Sequence, residues 1–236
     1  MRKASGVNRF KMPAIGTARL VRASVMILLT VAVACSASRA RVSDLNGDGV
    51  TRIACLGDSN TDTRPQITGR ISWCDTLGDL VAGNGWSTIN GAAAGARVVD
   101  IGSLHLATAL TRDPDIVVMA YGTNDLGVNS VATIVAKYAA LKQQLEAGGR
   151  SAMIALTPPT LPGTMINGVA FNGVVTQLNE AILAAFPSQT VIDFYTPMLL
   201  PNGSINGALY DDSIHMNTAG QNARAASAYG HMTIWD

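Results

Sequence analysis

The sequence predicts one α/β domain built on a parallel sheet. Three observations carry this. Apolar runs of strand length recur along the chain, helical stretches separate them, and the runs are largely continuous rather than alternating. A strand that is apolar on both faces belongs in a sheet covered on both sides, as parallel α/β sheets are. The runs are 52–57 (RIACLG), 86–90 (WSTIN), 115–120 (DIVVMA), 151–157 (SAMIALT) and 189–194 (TVIDFY). Helices are expected over 71–82, 98–110, 129–147, 172–186 and 216–229. The clearest is 129–147, where Val131, Ile134, Val135, Tyr138, Leu141 and Leu145 recur at three-and-four spacing before Gly148-Gly149 stops the run. There is no internal repeat. Open sheets of this type place their sites beyond the carboxyl ends of the strands, so function is sought in the loops that follow them.

Composition narrows the class. Of 236 residues, 48% are hydrophobic and 14% charged, too apolar for a disordered chain. The net charge of +1 hides a split. Six of the 17 basic residues lie in 1–34, which has no acid; from Cys35 onward 11 basic residues face 16 acidic ones, or −5. With no basic, aromatic-rich patch beyond residue 34, nucleic acid is not an expected partner. Three His (105, 215, 231) and three Cys (35, 55, 74), without His-Glu-x-x-His or Cys-x-x-Cys, predict neither a zinc site nor a disulfide scaffold.

The basic start leads into a 13-residue apolar run, 23–35 (ASVMILLTVAVAC). A membrane span needs roughly 20 such residues. A basic lead, a short apolar core and a small-residue exit make a secretory signal. Ala32-Val33-Ala34 offers simple cleavage; the following Cys35 also resembles a lipoprotein box, although Ala32 stands where such boxes usually have Leu. The expected organisation is a signal over 1–34, a tether over 35–51 and a domain over 52–236. The protein is expected to be exported: periplasmic, secreted or lipid-anchored at a bacterial envelope. Cys55 and Cys74 are read as two buried thiols, since free Cys is among the most buried residue types; an oxidising compartment would allow them to pair instead. The stretch Asp44-Leu-Asn46-Gly-Asp48-Gly49 opens like a calcium loop. Its twelfth position is Cys55, inside the first strand, so it is read as tether and turn rather than a metal site, with calcium as the alternative.

Four loops carry chemistry. Ser59 follows the first strand in Gly57-Asp58-Ser59-Asn60, at a strand-to-helix corner with backbone N–H groups close by; the same residues would also suit a turn and a helix cap. A serine needs a base. His105 lies in an apolar stretch and reads as a packed or surface helix residue, and His231 lies in the tail. His215 follows Asp212 at D-x-x-H spacing, which lets a carboxylate hold one imidazole nitrogen and leaves the other for Ser59; Asp211 is the neighbouring alternative, and a helix-capping Asp beside a solvated His is the bland one. Gly95, in Asn90-Gly91-Ala92-Ala93-Ala94-Gly95, could present a backbone N–H to an oxyanion, and Asn124, in Gly122-Thr123-Asn124-Asp125, a side-chain amide; either loop could also be an ordinary turn.

Ser59 in GDSN, Gly95 five residues after Asn90, Asn124 in GTND and Asp212-x-x-His215, in that order, resemble the SGNH hydrolases, or GDSL-type esterase/lipase family. The resemblance runs from Arg52 to about Gly220. It implies a three-layer α/β/α sandwich with a five-stranded parallel sheet, flavodoxin-like in layout. It also implies roles: Ser59 as nucleophile and backbone oxyanion donor, Gly95 and Asn124 as further donors, His215 as base and Asp212 as its partner, with no cofactor. Asn60 departs from the Leu common at that position, which bears on substrate preference. The chain lacks the G-x-S-x-G elbow of α/β-hydrolases.

The expected enzyme is a monomeric esterase acting on a small-molecule ester: lipid, aryl or acetylated sugar, with small acyl groups favoured. Acyl transfer to a glycan, or a non-catalytic surface lipoprotein or glycan-binding module, are the alternatives. The loops Thr157–Phe171 and Tyr195–Tyr210 are expected to line the substrate site.

Overall fold

Five short strands pair in parallel. β1 (Arg52–Gly57), β2 (Ser87–Asn90), β3 (Ile116–Ala120), β4 (Ser151–Ala155) and β7 (Val191–Ile192) stand in the order β2-β1-β3-β4-β7. The computed structural model describes residues 44–62, 71–100 and 104–232, all within one unit, Arg41–Asp236. The signal expected over 1–34, and Cys35, lie outside the described residues. Among the described residues no helix is long and apolar enough to cross a membrane.

Period-two geometry sorts each strand onto two faces. Ala54, Leu56, Val117, Met119, Ala152 and Ile154 point to one side, against α2 (Leu104–Leu110), α3 (Val131–Ala147) and α4 (Phe171–Ala185). Ile53, Cys55, Ile116, Val118, Met153 and Ala155 point to the other, against α1 (Trp73–Val81) and α5 (Thr218–Met232). Both faces are dry, which is why β3 has no polar residue at all. This is the three-layer α/β/α sandwich with a five-stranded parallel sheet.

Local chemistry sets the helix ends. Ser72 and Asp75 form a reciprocal capping box at the start of α1. Ser130 caps α3, which stops at Gly148, and Ile134, Tyr138, Leu141 and Leu145 form its buried stripe. The helix expected over 98–110 is shorter: Val98–Asp100 is a 3₁₀ turn, and α2 begins at Leu104. The strand expected over 189–194 shrinks to Val191–Ile192, because the Asp193 carboxylate accepts the N–H groups of Tyr195 and Thr196, both at 2.9 Å, and turns the chain away.

One element escaped the sequence reading. β5 (Met165–Ile166) and β6 (Val169–Ala170) form a hairpin inside the loop 157–171. Asn167 and Gly168 connect it with φ of 49° and 80°, the two left-handed residues of a type I′ turn, for which Asn-Gly is the strongest short-range signal.

Residues 44–51, read as tether, are bound to the domain. The Asp44 carboxylate accepts from the N–H groups of Asp48 and Gly49, both at 2.8 Å. The Asn46 N–H donates to Asp115 beside the start of β3, and Asp48 pairs with Arg52. Among the described residues no three His, Cys, Asp or Glu gather as metal ligands.

The expectation of two thiols is overturned. Cys55 in β1 and Cys74 in the first turn of α1 are joined in a disulfide, with Cα atoms 6.0 Å apart. Burial was read correctly for each; what decides the pairing is that both side chains enter the same layer between sheet and helix. At a sequence separation of 19, the cross-link stabilises by about 3 kcal/mol through chain entropy. The double variant Cys55→Ala/Cys74→Ala should therefore unfold at clearly lower urea than the parent. Equal midpoints would show that the bridge contributes nothing.

Candidate active site

The site is assembled at the carboxyl ends of β1, β2 and β3. β1 ends in Gly57, where a Cβ would lie 2.3 Å from Thr61 Oγ1 and 2.8 Å from the Ala120 carbonyl; only glycine lets the chain turn this close to β3. The turn closes at once. The Asp58 carbonyl accepts the N–H groups of Thr61 (2.9 Å) and Asp62 (2.7 Å), and the Asp58 carboxylate accepts that of Asn60 at 2.9 Å. Ser59 sits at its crest, half-buried.

Far along the chain, Tyr210 and Met216 bridge antiparallel and close a short loop. Its tip delivers the imidazole: Ser59 Oγ is 3.0 Å from His215 Nε2, and His215 Nδ1 is 2.8 Å from Asp212 Oδ2. The other Asp212 oxygen accepts the N–H groups of Ile214 and His215, both at 2.7 Å. One oxygen thus builds the loop and the other orients the ring. Burial pushes the Asp212 carboxyl up, but these donors outweigh it and hold the group below its ordinary value. With the carboxylate as acceptor, the imidazole carries its proton on Nδ1 and leaves Nε2 free to accept from Ser59. Asp211 makes a different contact, its N–H donating to the His215 carbonyl at 2.9 Å.

The loop after β2 keeps step with β1. The Gly91 N–H donates to the Cys55 carbonyl and the Ala93 N–H to that of Gly57, both at 3.0 Å, so the chain reaches Gly95 (φ 75°) alongside the Ser59 turn. The Asn124 side-chain amide donates to the Ala96 carbonyl at 3.3 Å, which leaves its second hydrogen for a ligand. Gly95, Ala96 and Asn124 share one wall of a cavity of about 440 Å³, completed by Arg97, Asp100, His105, Val128 and Asn167.

Several residues do more than their sequence context suggested. His105, read as a packed or surface helix residue, lines this cavity because α2 starts at its rim. Asp125, the last residue of the GTND motif, has a buried carboxylate that accepts the N–H groups of Val98 (3.0 Å) and Val99 (3.3 Å) and ties the loop after β3 to the loop after β2. Burial drives its carboxyl up, against the pull of those donors. Asn60 is 3% exposed and is not a lining residue of the cavity; its backbone holds the turn instead. Of the two loops expected to line the substrate site, the first contributes Asn167 and the second contributes nothing to this cavity. His231 meets the Gln189 carbonyl at 3.0 Å, at the far end of α5.

The fold has counterparts among known proteins. The model of the GDSL-like lipase/acylhydrolase family matches residues 55–223. A protein from Desulfitobacterium hafniense, described as lipolytic and of the G-D-S-L family, has the same fold at a TM-score of 0.65 and 18% identity, over 77% of this chain and 99% of its own. Axe2 from Geobacillus stearothermophilus, an acetylxylan esterase, superposes at a TM-score of 0.61 and 15% identity, over 77% of this chain and 94% of its own. A carbohydrate esterase of family 3 from Talaromyces cellulolyticus gives 0.58 and 17%, over 78% and 97%. No curated protein matches by sequence. Because the family match takes in the loops of Ser59, Gly95, Asn124 and His215 alike, this chain belongs to the GDSL-like lipase/acylhydrolase family and is an ester-bond hydrolase.

Proposed function

We propose that the protein is an exported serine esterase that removes a small acyl group from a hydroxyl-rich alcohol, an acylated carbohydrate in particular. The observation that carries the serine mechanism is the chain of contacts from Ser59 Oγ through His215 to Asp212. His215 Nε2 takes the hydroxyl proton as Ser59 Oγ attacks the acyl carbon. The N–H groups of Ser59 and Gly95 and the Asn124 amide receive the oxyanion. His215 returns the proton to the departing alcohol, and water releases the acid by the same steps in reverse roles.

The cavity beside Gly95 and Asn124 supports the substrate class. Among the described residues its walls carry Arg97, Asp100, His105 and Asn167 beside the apolar Ala96 and Val128. Hydroxyl groups find partners there, and a long acyl chain would strand them. Two of the structural neighbours are named as acetylxylan or carbohydrate esterases. Export is supported by the basic-apolar start of the chain and by the Cys55–Cys74 bridge, since disulfides persist in oxidising compartments.

The expected result on a panel of aryl esters is a kcat/KM that falls steadily beyond short acyl chains. An acetylated xylo-oligosaccharide should lose acetate, with release followed by chromatography. Faster turnover of long-chain esters, with no release from the sugar, would overturn the substrate assignment.

A further inference from the structure

The turn that carries Ser59 rests on a buried cation. Arg224 in α5 is 1% exposed and donates from Nη1 to the Asn60 carbonyl. Its guanidinium lies 4.6 Å from the ring centre of Phe194 and 5.7 Å from that of Trp73. Gln221, one turn earlier and wholly buried, donates Nε2 to the same carbonyl at 3.1 Å and accepts the Trp73 N–H at 3.1 Å. From the other side, the Asn60 N–H is held by Asp58, also 1% exposed. Burial pushes the Asp58 carboxyl up and the Arg224 charge pulls against it. Burial likewise pushes Arg224 down to about 10, against Asp58, so the guanidinium remains a cation at neutral pH.

Buried charged and ionisable groups stabilise a fold poorly, and apolar residues often do as well. Their placement points to another use. The peptide units before and after Asn60 are both held, one by Asp58 and the other by Gln221 and Arg224, and Ser59 is the residue next to that clamp. α5 begins at Thr218, three residues beyond His215. The helix that grips the nucleophile turn is therefore the one that continues from the imidazole loop.

We propose that Arg224, with Gln221, is a positioning residue that sets the Ser59 Oγ to His215 Nε2 distance by docking α5 onto the Asn60 carbonyl. The proposal rests on the reading of Ser59 and His215 as nucleophile and base. A misplacement of 1 Å costs about 10²-fold in rate, whereas Arg224 and Gln221 are not lining residues of the cavity and leave substrate binding alone.

The test compares Arg224→Met, Arg224→Lys, Gln221→Met and Ser59→Ala on p-nitrophenyl acetate, with folding checked by near-ultraviolet circular dichroism. Methionine keeps the packing on Trp73 and Phe194 and removes the donor. Its kcat should fall about 10- to 100-fold while KM stays within about twofold. Lysine, which can still donate to the Asn60 carbonyl, should recover part of the loss. A folded Arg224→Met enzyme with parental kcat, or one whose loss lies in KM, overturns the proposal. If Arg224→Met does not fold, Gln221→Met decides on the same split: a lower kcat at constant KM supports the role, and an unchanged kcat overturns it. Ser59→Ala separates the two levels. An inactive Ser59→Ala beside a normal Arg224→Met removes only the positioning role; an active Ser59→Ala removes the catalytic reading and the positioning with it.

Discussion

Ser59→Ala should lose ester hydrolysis almost completely, with kcat down about 10⁴- to 10⁶-fold, while the fold is kept. The loss is large because the hydroxyl is the atom that bonds to the acyl carbon; without it only the oxyanion donors and bound water remain. The fold is kept because Ser59 contributes little to its own turn. That turn is closed by the Asp58 carbonyl and carboxylate and held from beneath by Gln221 and Arg224, none of which needs the hydroxyl. The measurements are steady-state hydrolysis of a short aryl ester, labelling by a fluorophosphonate and thermal unfolding. A variant that hydrolyses at the parental rate, with an unchanged melting temperature, would show that Ser59 is not the nucleophile.

Asp212→Asn is expected to lower kcat by about 10²- to 10⁴-fold with little change in KM. The amide oxygen can still accept the Ile214 and His215 N–H groups, so the loop survives. The amide nitrogen would then face His215 Nδ1 at the place where Oδ2 stood 2.8 Å away. Being a donor, it favours the tautomer with the proton on Nε2, and that nitrogen can no longer take the proton of Ser59. The Asp212 side chain is 54% exposed, so water screens its charge, and the tautomer is the main cause of the loss. The sign on stability is also set. A carboxyl held below its ordinary value in the folded state stabilises above the unfolded value of about 3.9 and loses that contribution as pH falls through the folded one. Asp212→Asn should therefore show less of the parental drop in melting temperature at acid pH. An Asp212→Asn enzyme with parental kcat would assign the orienting role elsewhere.

The legible and illegible parts of this protein differ in kind. The central strands β1, β3 and β4 were legible because both faces of each are buried, and continuous apolar runs such as IVVMA can be read one residue at a time, whereas the edge strand β2 is only partly covered. α3 was legible because a single stripe, Ile134 to Leu145, has the helical period and a glycine stop. The Asn167-Gly168 hairpin has the turn signal in its sequence, but its two-residue strands are too short to show any alternation. His105 is the helix residue its context suggested, but only tertiary structure shows what it faces: Leu106 and Ala109 of the same helix pack in the core, whereas His105 is half-buried and lines the cavity.

Sequence alone determined the parallel sheet, the order of the four loops and the identity of Ser59, Gly95, Asn124, Asp212 and His215 as candidates. Each rests on residues close together in the chain, where spacing translates directly into backbone geometry. Tertiary structure alone decided that Cys55 and Cys74 are bonded, that Asp125 laces two loops together, that the cavity wall is polar, and that Arg224 lies beneath the Ser59 turn. These depend on which faces of separate elements meet. Residues 60 and 224 meet because α5 and α1 share one side of the sheet, a fact set by the packing of the whole layer and carried by no short stretch of chain.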